Sequence, residues 1–309
     1  MHLFTPIIEG LLQHLDANVV PWRQAWPRGL PRCLTTGQEF RGLNLLGLGL
    51  THHSSRYWLT TRDVARLGGQ VRRCQLATTV IDWTWSRPAH PAQPQRQNGE
   101  ESPLPCDAVT GTVFNLDQVD GIAHPDDDDP VPPSRRFAVA DLMLDLLPDQ
   151  PAIEHARTVA PVYDCRTDRI TLPHLSQFQS ADDYYRAIFS ARIRASGAPH
   201  RLHRFTTADG GHWTPYSFEA LVAELGTAFL CGFAGIRPVP AETLAGGHGL
   251  AWAKVLRPDP VVLLRAAAAA QRAADYLRGK LPAEPAPPPP YPAIPSPHRC
   301  PEVYRRHPS

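Results

Sequence analysis

Residues 35–50 read TTGQEFRGLNLLGLGL, and residues 56–73 read RYWLTTRDVARLGGQVRR. In the first stretch a polar turn, Thr36-Gly37, precedes the apolar run Leu43–Leu50, which is too short for periodicity to choose between a buried helix and a strand. In the second, Thr60 or Thr61 can cap a helix that reaches Leu67 and stops at Gly68-Gly69. Downstream, QVRRCQLATTVIDWTW alternates as β-structure, with Val80, Asp82 and Thr84 on one face and Ile81, Trp83 and Trp85 on the other. Upstream, Leu3, Ile7, Ile8, Leu11, Leu12 and Leu15 fall at helical spacing, and Pro21 ends that helix. A short return strand, VFNLDQVDGI, closes the segment at Ile122.

The 309 residues have room for about two domains. Proline, at 34 residues, is the outlier, clustering between Arg87 and Pro133 and again after Leu281. Basic residues are almost all arginine, Lys254 and Lys280 being the only lysines. Residues 1–90 hold ten arginines against five acids, about +5, which leaves about −4 for the rest of a chain whose net charge is +1. A basic front half suits a phosphate-bearing partner. Six cysteines without a Cys-x-x-Cys pair argue against a zinc ribbon or a disulfide framework. No signal peptide or membrane-length apolar run is present, so the expected location is the cytoplasm, with no membrane partner.

The expected organisation is a first domain over 1–122 with a disordered insertion at about 87–110, a linker over 123–136 that includes the acidic run Asp126–Asp129, and a second domain over 137–280. A disordered proline-rich tail covers 281–309. In the second domain a helix from Phe137 to Leu147 and a strand region around Pro161–Leu172 come first. Three helices follow: ADDYYRAIFSARIRA capped by Ser180, FEALVAELGTAFLCGFAG, and the Ala-rich PVVLLRAAAAAQRAADYLRG.

Single strands of nucleic acid are held by aromatic platforms that stack bases and by arginines on phosphates. Trp22, Trp26, Phe40, Tyr57, Trp58, Trp83 and Trp85 interleave with seven arginines in the first domain, a composition that fits either such a groove or an aromatic core. The motifs Thr36-Gly37, Phe40-Arg41-Gly42-Leu43-Asn44, Trp58-Leu59-Thr60 and Leu67-Gly68-Gly69-Gln70-Val71-Arg72, closed by VFNLDQVDG, resemble in order the N-terminal domain of ArdC-type antirestriction proteins, which also occurs in plasmid primases. The resemblance implies sequence-independent binding of single-stranded DNA, with Trp22, Arg41, Asn44, Arg56, Trp58, Arg72 and Arg73 as contact residues. Where the family has a Lys/Arg-Gly-Glu-Lys turn, this chain has Arg73-Cys74-Gln75-Leu76-Ala77, losing a glycine turn and a lysine.

Residues 137–280 resemble the same family's zincin-like metallopeptidase domain, through PVYDCRTDRITLPHLSQFQSADDYY, FEALVAELGTAFLCGFAGI, Trp252-Ala253-Lys254-Val255-Leu256 and AQRAADYL. The implied fold is α+β: an α/β single-strand-binding domain followed by a mainly helical domain with a small sheet. The family's His-Glu-x-x-His-x-x-Gly would place two ligands on one helical face with an adjacent general base. Aligned on Gly197 and Arg201-Leu202, the corresponding residues are Ser190, Ala191 and Arg194, so both histidines and the base are absent. One of Glu219 and Glu224 matches the family's third ligand, and Arg194 is expected to ion-pair with it. The reading is therefore a non-enzymatic pseudo-metallopeptidase without cofactor, acting on single-stranded DNA in an antirestriction or mobile-element accessory role, with a restriction-modification or conjugation protein as a further partner. One alternative is an active metallopeptidase that rebuilds a Zn or Mn site from His200, His203 and Glu219 or Glu224; another is an adaptor that has abandoned DNA.

Overall fold

In the computed structural model of the chain the described residues are 3–23, 26, 28–84, 107–126, 129–145, 150–205, 215–237 and 248–280. Most of the Pro-rich insertion, and the whole of the tail, lie outside them, as does Trp85. Helix α1 (Thr5–Asp16) carries Pro6 in its first turn and buries Ile7, Ile8, Leu11, Leu12 and Leu15. The run from Leu43 is a helix, α2 (Leu43–Gly49), with Leu43 through Leu48 all buried. A helix covered on every side has no apolar stripe, which is why its period was silent. Helix α3 (Thr61–Arg66) is capped by Thr60, whose hydroxyl accepts from the Asp63 N–H, and Gly68 at φ +76° ends it.

The segment expected as continuous β-structure after Gly69 splits into β3 (Gln70–Val71) and β4 (Thr78–Thr84), separated by a turn at Cys74. Cys74 has φ +60°. The turn at the glycine's place in the family motif is thus retained by a cysteine in left-handed backbone, a conformation that costs a side chain about 1–2 kcal/mol. Strand β5 (Asp107–Asn115) pairs antiparallel along all of β4, so residues 107–110 belong to the sheet and not to a disordered insertion. With β1 (Arg32–Cys33) and β2 (Tyr57–Leu59) the order is β1-β2-β5-β4; β3 pairs separately with β6 (Val119–Asp120). Val80 and Ile81 are both buried, in different clusters, so this part of β4 is covered on both faces, and the one-sided alternation does not hold there.

Two buried amides hold this half together. The Asn44 side chain lies along the free edge of β4, donating to the Ile81 carbonyl (2.7 Å) and accepting from the Ile81 N–H (2.8 Å). Asn115 caps the turn after β5 and donates to the Ser55 carbonyl (2.9 Å), while Gln118 reaches back to the Asn115 N–H (2.7 Å). These motif residues serve the backbone, which must be satisfied wherever it is buried.

The second half begins earlier than expected: α4 (Pro133–Asp145) starts inside the segment read as linker, with proline at its first position. Strands β7 (Ala152–Ala156), β8 (Val162–Asp164) and β9 (Arg169–Pro173) form a small sheet in the order β7-β9-β8, with β7 parallel to β9. Helices α5 (Ala181–Ala195), α6 (Phe218–Ala234), α7 (His248–Leu256) and α8 (Val261–Leu277) complete it. Ser180 and Ser217 cap α5 and α6, and Gly235 at φ +75° closes α6. The architecture is α+β. Among the described residues no helix is long and apolar enough to cross a membrane.

One hydrophobic core runs through both halves, from α1, Trp22, Trp26 and Leu30 to α5, α6, α7 and α8. Trp26 packs against Phe229 of α6, and Gly232 makes room for it: a Cβ there would lie 2.6 Å from Leu30 and 2.9 Å from the Trp26 ring. Polar links reinforce the joint. Arg41 pairs with Asp275, the Gly42 N–H donates to Gln271 (2.9 Å), and Arg278 bonds Glu39 (2.8 Å) while lying over Phe233. Replacing Asn44 with alanine leaves a buried donor and acceptor on β4 unpaired. We expect a loss of about 2–4 kcal/mol in chemical denaturation of the full chain; an unchanged midpoint would show that the amide does not hold this edge.

Candidate metal centre and nucleic-acid surface

Ser190, Ala191 and Arg194 lie on α5, the helix expected to carry the metal motif, opposite Glu219 and Glu224 of α6. Each carboxylate is already engaged. Glu219 receives the Arg204 guanidinium on both oxygens (Nε at 3.2 and 3.3 Å, Nη2 at 3.2 Å), and both side chains are at most 10 % exposed. Arg204 spends its remaining donors on Ser196 Oγ (3.1 Å) and the Ile193 carbonyl (2.7 Å). This seat depends on Gly197, because a Cβ there would come within 2.8 Å of Arg204 and 2.3 Å of Phe205.

Glu224 faces the first half. Arg23 holds it with a two-pronged contact, Nη2 to Oε1 at 2.8 Å and Nε to Oε2 at 3.2 Å. The indole N–H of Trp22 donates to Oε2 (2.9 Å) and that of Trp252 to Oε1 (3.4 Å), the two indoles meeting edge to face. The expected pairing of Arg194 with a surviving glutamate is not made: among the described residues no carboxylate comes within ion-pair distance of it. Burial lowers the Arg194 pKa, and the fields of Glu219 and Glu224 act the other way. Other arginines reach the carboxylates first.

The donor set does not suit a divalent cation. Arg23 and Arg204 occupy the two carboxylates; among the described residues Arg194 adds a third, unpaired guanidinium on α5, and no imidazole stands between them. The histidines weighed as replacements lie elsewhere. His200 approaches Asp168 (3.5 Å), a carboxylate already gripped by Arg201 and by the Tyr163 hydroxyl, and His203 is exposed at φ +50°. Among the described residues no three His, Cys, Asp or Glu side chains converge as a metal site would require.

The residues expected to touch DNA divide into three groups. Trp22 and Trp58 are each 2 % exposed and Asn44 is buried, so none offers a face or amide to a base. Their rings and amide build the core, as the sequence composition equally allowed. Arg41 is committed to Asp275, and Arg56 lies over the Tyr57 ring with Nη1 on the Arg28 carbonyl (3.3 Å). Arg41, though paired, is exposed, and so are Arg72 and Arg73; Arg72 bonds Asp120 (2.8 Å) in full view of solvent. Arg62 and Arg66 of α3 are exposed in the same α3–β3 unit and were not singled out as contacts. Next to it an open cleft of about 550 Å³ lies between α1, the end of α2 and residues 74–79. Nothing in the linear order of residues marks that cleft, whose walls come from three separate segments around residues 7, 50 and 76.

A helical domain with a small sheet, its metal helix opposed by two glutamates and fused to a mixed sheet domain, defines a zincin-like metallopeptidase domain behind a partner domain. Residues 148–269 match the zincin-like metallopeptidase family, and residues 2–114 match the N-terminal domain of anti-restriction factor ArdC. The chain joins an ArdC-type N-terminal domain to a zincin-like metallopeptidase domain. It is similar to the crystal structure of the antirestriction ArdC protein from R388 plasmid in metal-free form, at 27 % identity and a TM-score of 0.67, over 91 % of this chain and 98 % of that one. The Mn(II)-bound form of that protein aligns with a TM-score of 0.64 at 27 % identity, over 90 % and 97 %. A DNA primase TraC of Escherichia coli is 29 % identical over 88 % of this chain, but that covers only 26 % of the primase. The uncharacterized protein y4eC of Sinorhizobium fredii is 27 % identical over 90 % of this chain and 92 % of its own length. The chain thus spans about a quarter of the first curated relative.

Removing one partner of a buried ion pair strands the other charge, a penalty of about 3–5 kcal/mol. Glu219→Ala should destabilise the protein by about that much, and the double variant Glu219→Ala/Arg204→Met should recover most of it. Equal losses in the single and double variants would show that the pair is not what holds this centre.

Proposed function

We propose that this protein is a non-catalytic member of the ArdC-type family that binds single-stranded DNA through its N-terminal half and uses the zincin-like half as a scaffold, in an antirestriction or mobile-element accessory role. What supports the DNA reading is the exposed set Arg62, Arg66, Arg72 and Arg73 on one α3–β3 unit beside an open cleft. Phosphate contacts need solvent-facing cations on a common surface, and the N-terminal half carries the chain's positive excess. What supports the loss of catalysis is the donor chemistry between α5 and α6. A zinc or manganese ion there would need ligands that the described residues do not supply, and would have to displace Arg23 and Arg204 from their carboxylates. The similar proteins are named an antirestriction protein from a plasmid and a DNA primase, which suits a DNA partner. The partners beyond DNA are then a restriction-modification or conjugation component, and the site of action is the cytoplasm.

Two measurements test this reading. A labelled single-stranded oligonucleotide should bind the full chain with an affinity that falls steeply with salt, while a duplex of the same length competes poorly. Equal affinity for both forms, or no salt dependence, would remove the reading. Zn²⁺ and Mn²⁺ added to purified protein should remain well below one equivalent after dialysis; a stoichiometric ion that raises the thermal midpoint would restore the metallopeptidase alternative.

A further inference from the structure

The cleft beside the arginines has features that single out its occupant. One wall is apolar, formed by Ile7 of α1 and Leu50 at the end of α2; the other is the 74–79 segment with Gln75, Leu76 and Thr79. Gln118 fixes that second wall, donating to Gln75 Oε1 (3.1 Å) and to the Leu76 carbonyl (2.9 Å). Leu76 is 84 % exposed, a large aliphatic side chain at the rim. His53 also lines the cleft, its ring edge-on to Trp58 at 5.6 Å. Burial holds its pKa below the ordinary imidazole range, more strongly than Asp117 raises it, and His52 adds to the lowering. At neutral pH it is an uncharged ring that can both donate and accept.

The backbone of β4 supplies a second pair of such groups. Ile81 gives its N–H and C=O to Asn44, so it turns away from β5. In an antiparallel pair the outward-turned residues alternate. Thr79, two residues back and opposite Thr112, therefore presents its N–H and C=O to the cleft. An extended peptide would need a run of such positions to add a strand, and Asn44 closes the run at Ile81. A flat heterocycle needs only one donor and one acceptor, with apolar surface for its faces. Arg72 and Arg73 directly precede Cys74 at the edge of the cleft, where they can meet the charge that such a ring carries with it.

We propose that this cleft is a base-binding subsite for single-stranded DNA, taking one unpaired nucleobase between the Ile7–Leu50 wall and Leu76, with Thr79 backbone and His53 at its edge and Arg72 and Arg73 on the adjoining phosphates. The inference rests on the single-strand reading above and names its site. Its size, about 550 Å³, lies within the usual range for a small-ligand cleft. A base inside a duplex is not available to such a site, so the preference for unpaired DNA follows from access.

The test uses the full chain and an oligo(dT) of about 16 nucleotides, the upper end of typical single-strand site sizes. Leu76→Ala and Gln75→Ala, both exposed positions, should each weaken binding by about fivefold with the salt slope unchanged. Arg73→Ala should lower the salt slope by about one. Saturating oligo(dT) should also slow alkylation of Cys74, which lines the cleft and is exposed, measured by mass spectrometry in the wild-type chain, while Cys33 serves as an internal reference. Wild-type binding with Cys74 unprotected and both variants at wild-type affinity overturns the subsite and leaves the single-strand reading standing. No binding by the wild type overturns both.

Discussion

The Glu224 carboxylate lies where the two halves of the molecule meet, and it must be accompanied by positive charge or by donors to stay there. Arg23 and the Trp22 indole come from the first half, and the Trp252 indole from the second. That one side chain therefore fastens a segment near residue 22 to helices some two hundred residues later. In a metal-bearing zincin the carboxylates opposite the motif helix would be drawn to a cation. Here the cations are guanidinium groups, and because one belongs to the other half, this centre is part of the joint.

A buried ion pair such as that of Glu219 with Arg204 adds little net stability, since desolvation offsets most of the attraction. What it supplies is registry. Glu219 with Arg204 sets how the chain after α5 folds back onto α6, and Asp182 holds Arg136 (2.9 Å) and the Arg237 N–H (2.8 Å) so that α4, α5 and the end of α6 meet in one arrangement. The driving force is the apolar cluster around them, in which Trp252, Tyr163, Phe189 and Phe229 are almost wholly enclosed.

The sequence made the helices α1, α3, α5, α6 and α8 legible because their caps and stripes are local signals: Thr60, Ser180 and Ser217 cap three of them as hydroxyl residues do. It left α2 undecided because burial on all sides erases periodicity. The expectation that α5 lacks the metal motif rests on the same kind of local signal, since a helical motif is defined by spacing along one element. The site residues of the first half were not. Whether a tryptophan faces solvent or core depends on what the fold packs against it, and Trp22 and Trp58 lie inward because α6, α7 and β5 cover them. The choice of Arg194 as the partner of a glutamate failed in a related way, because Arg23 and Arg204 approach from segments distant in sequence. Cys74 shows the converse: a turn that had seemed lost from the residue type survives in the backbone.

The shared core has a practical corollary for dissecting the protein. Cutting the chain after residue 122 would not release a self-sufficient unit, because Trp22, Trp26 and Leu30 would lose the helices that shelter them and Glu39 its partner Arg278. Such a fragment would display an oily flank and invite clumping. Any affinity for nucleic acid recorded on it would mix the native surface with an artefactual one. The zincin-like half therefore serves the first half as a chaperone built into the same polypeptide, whatever chemistry it performs.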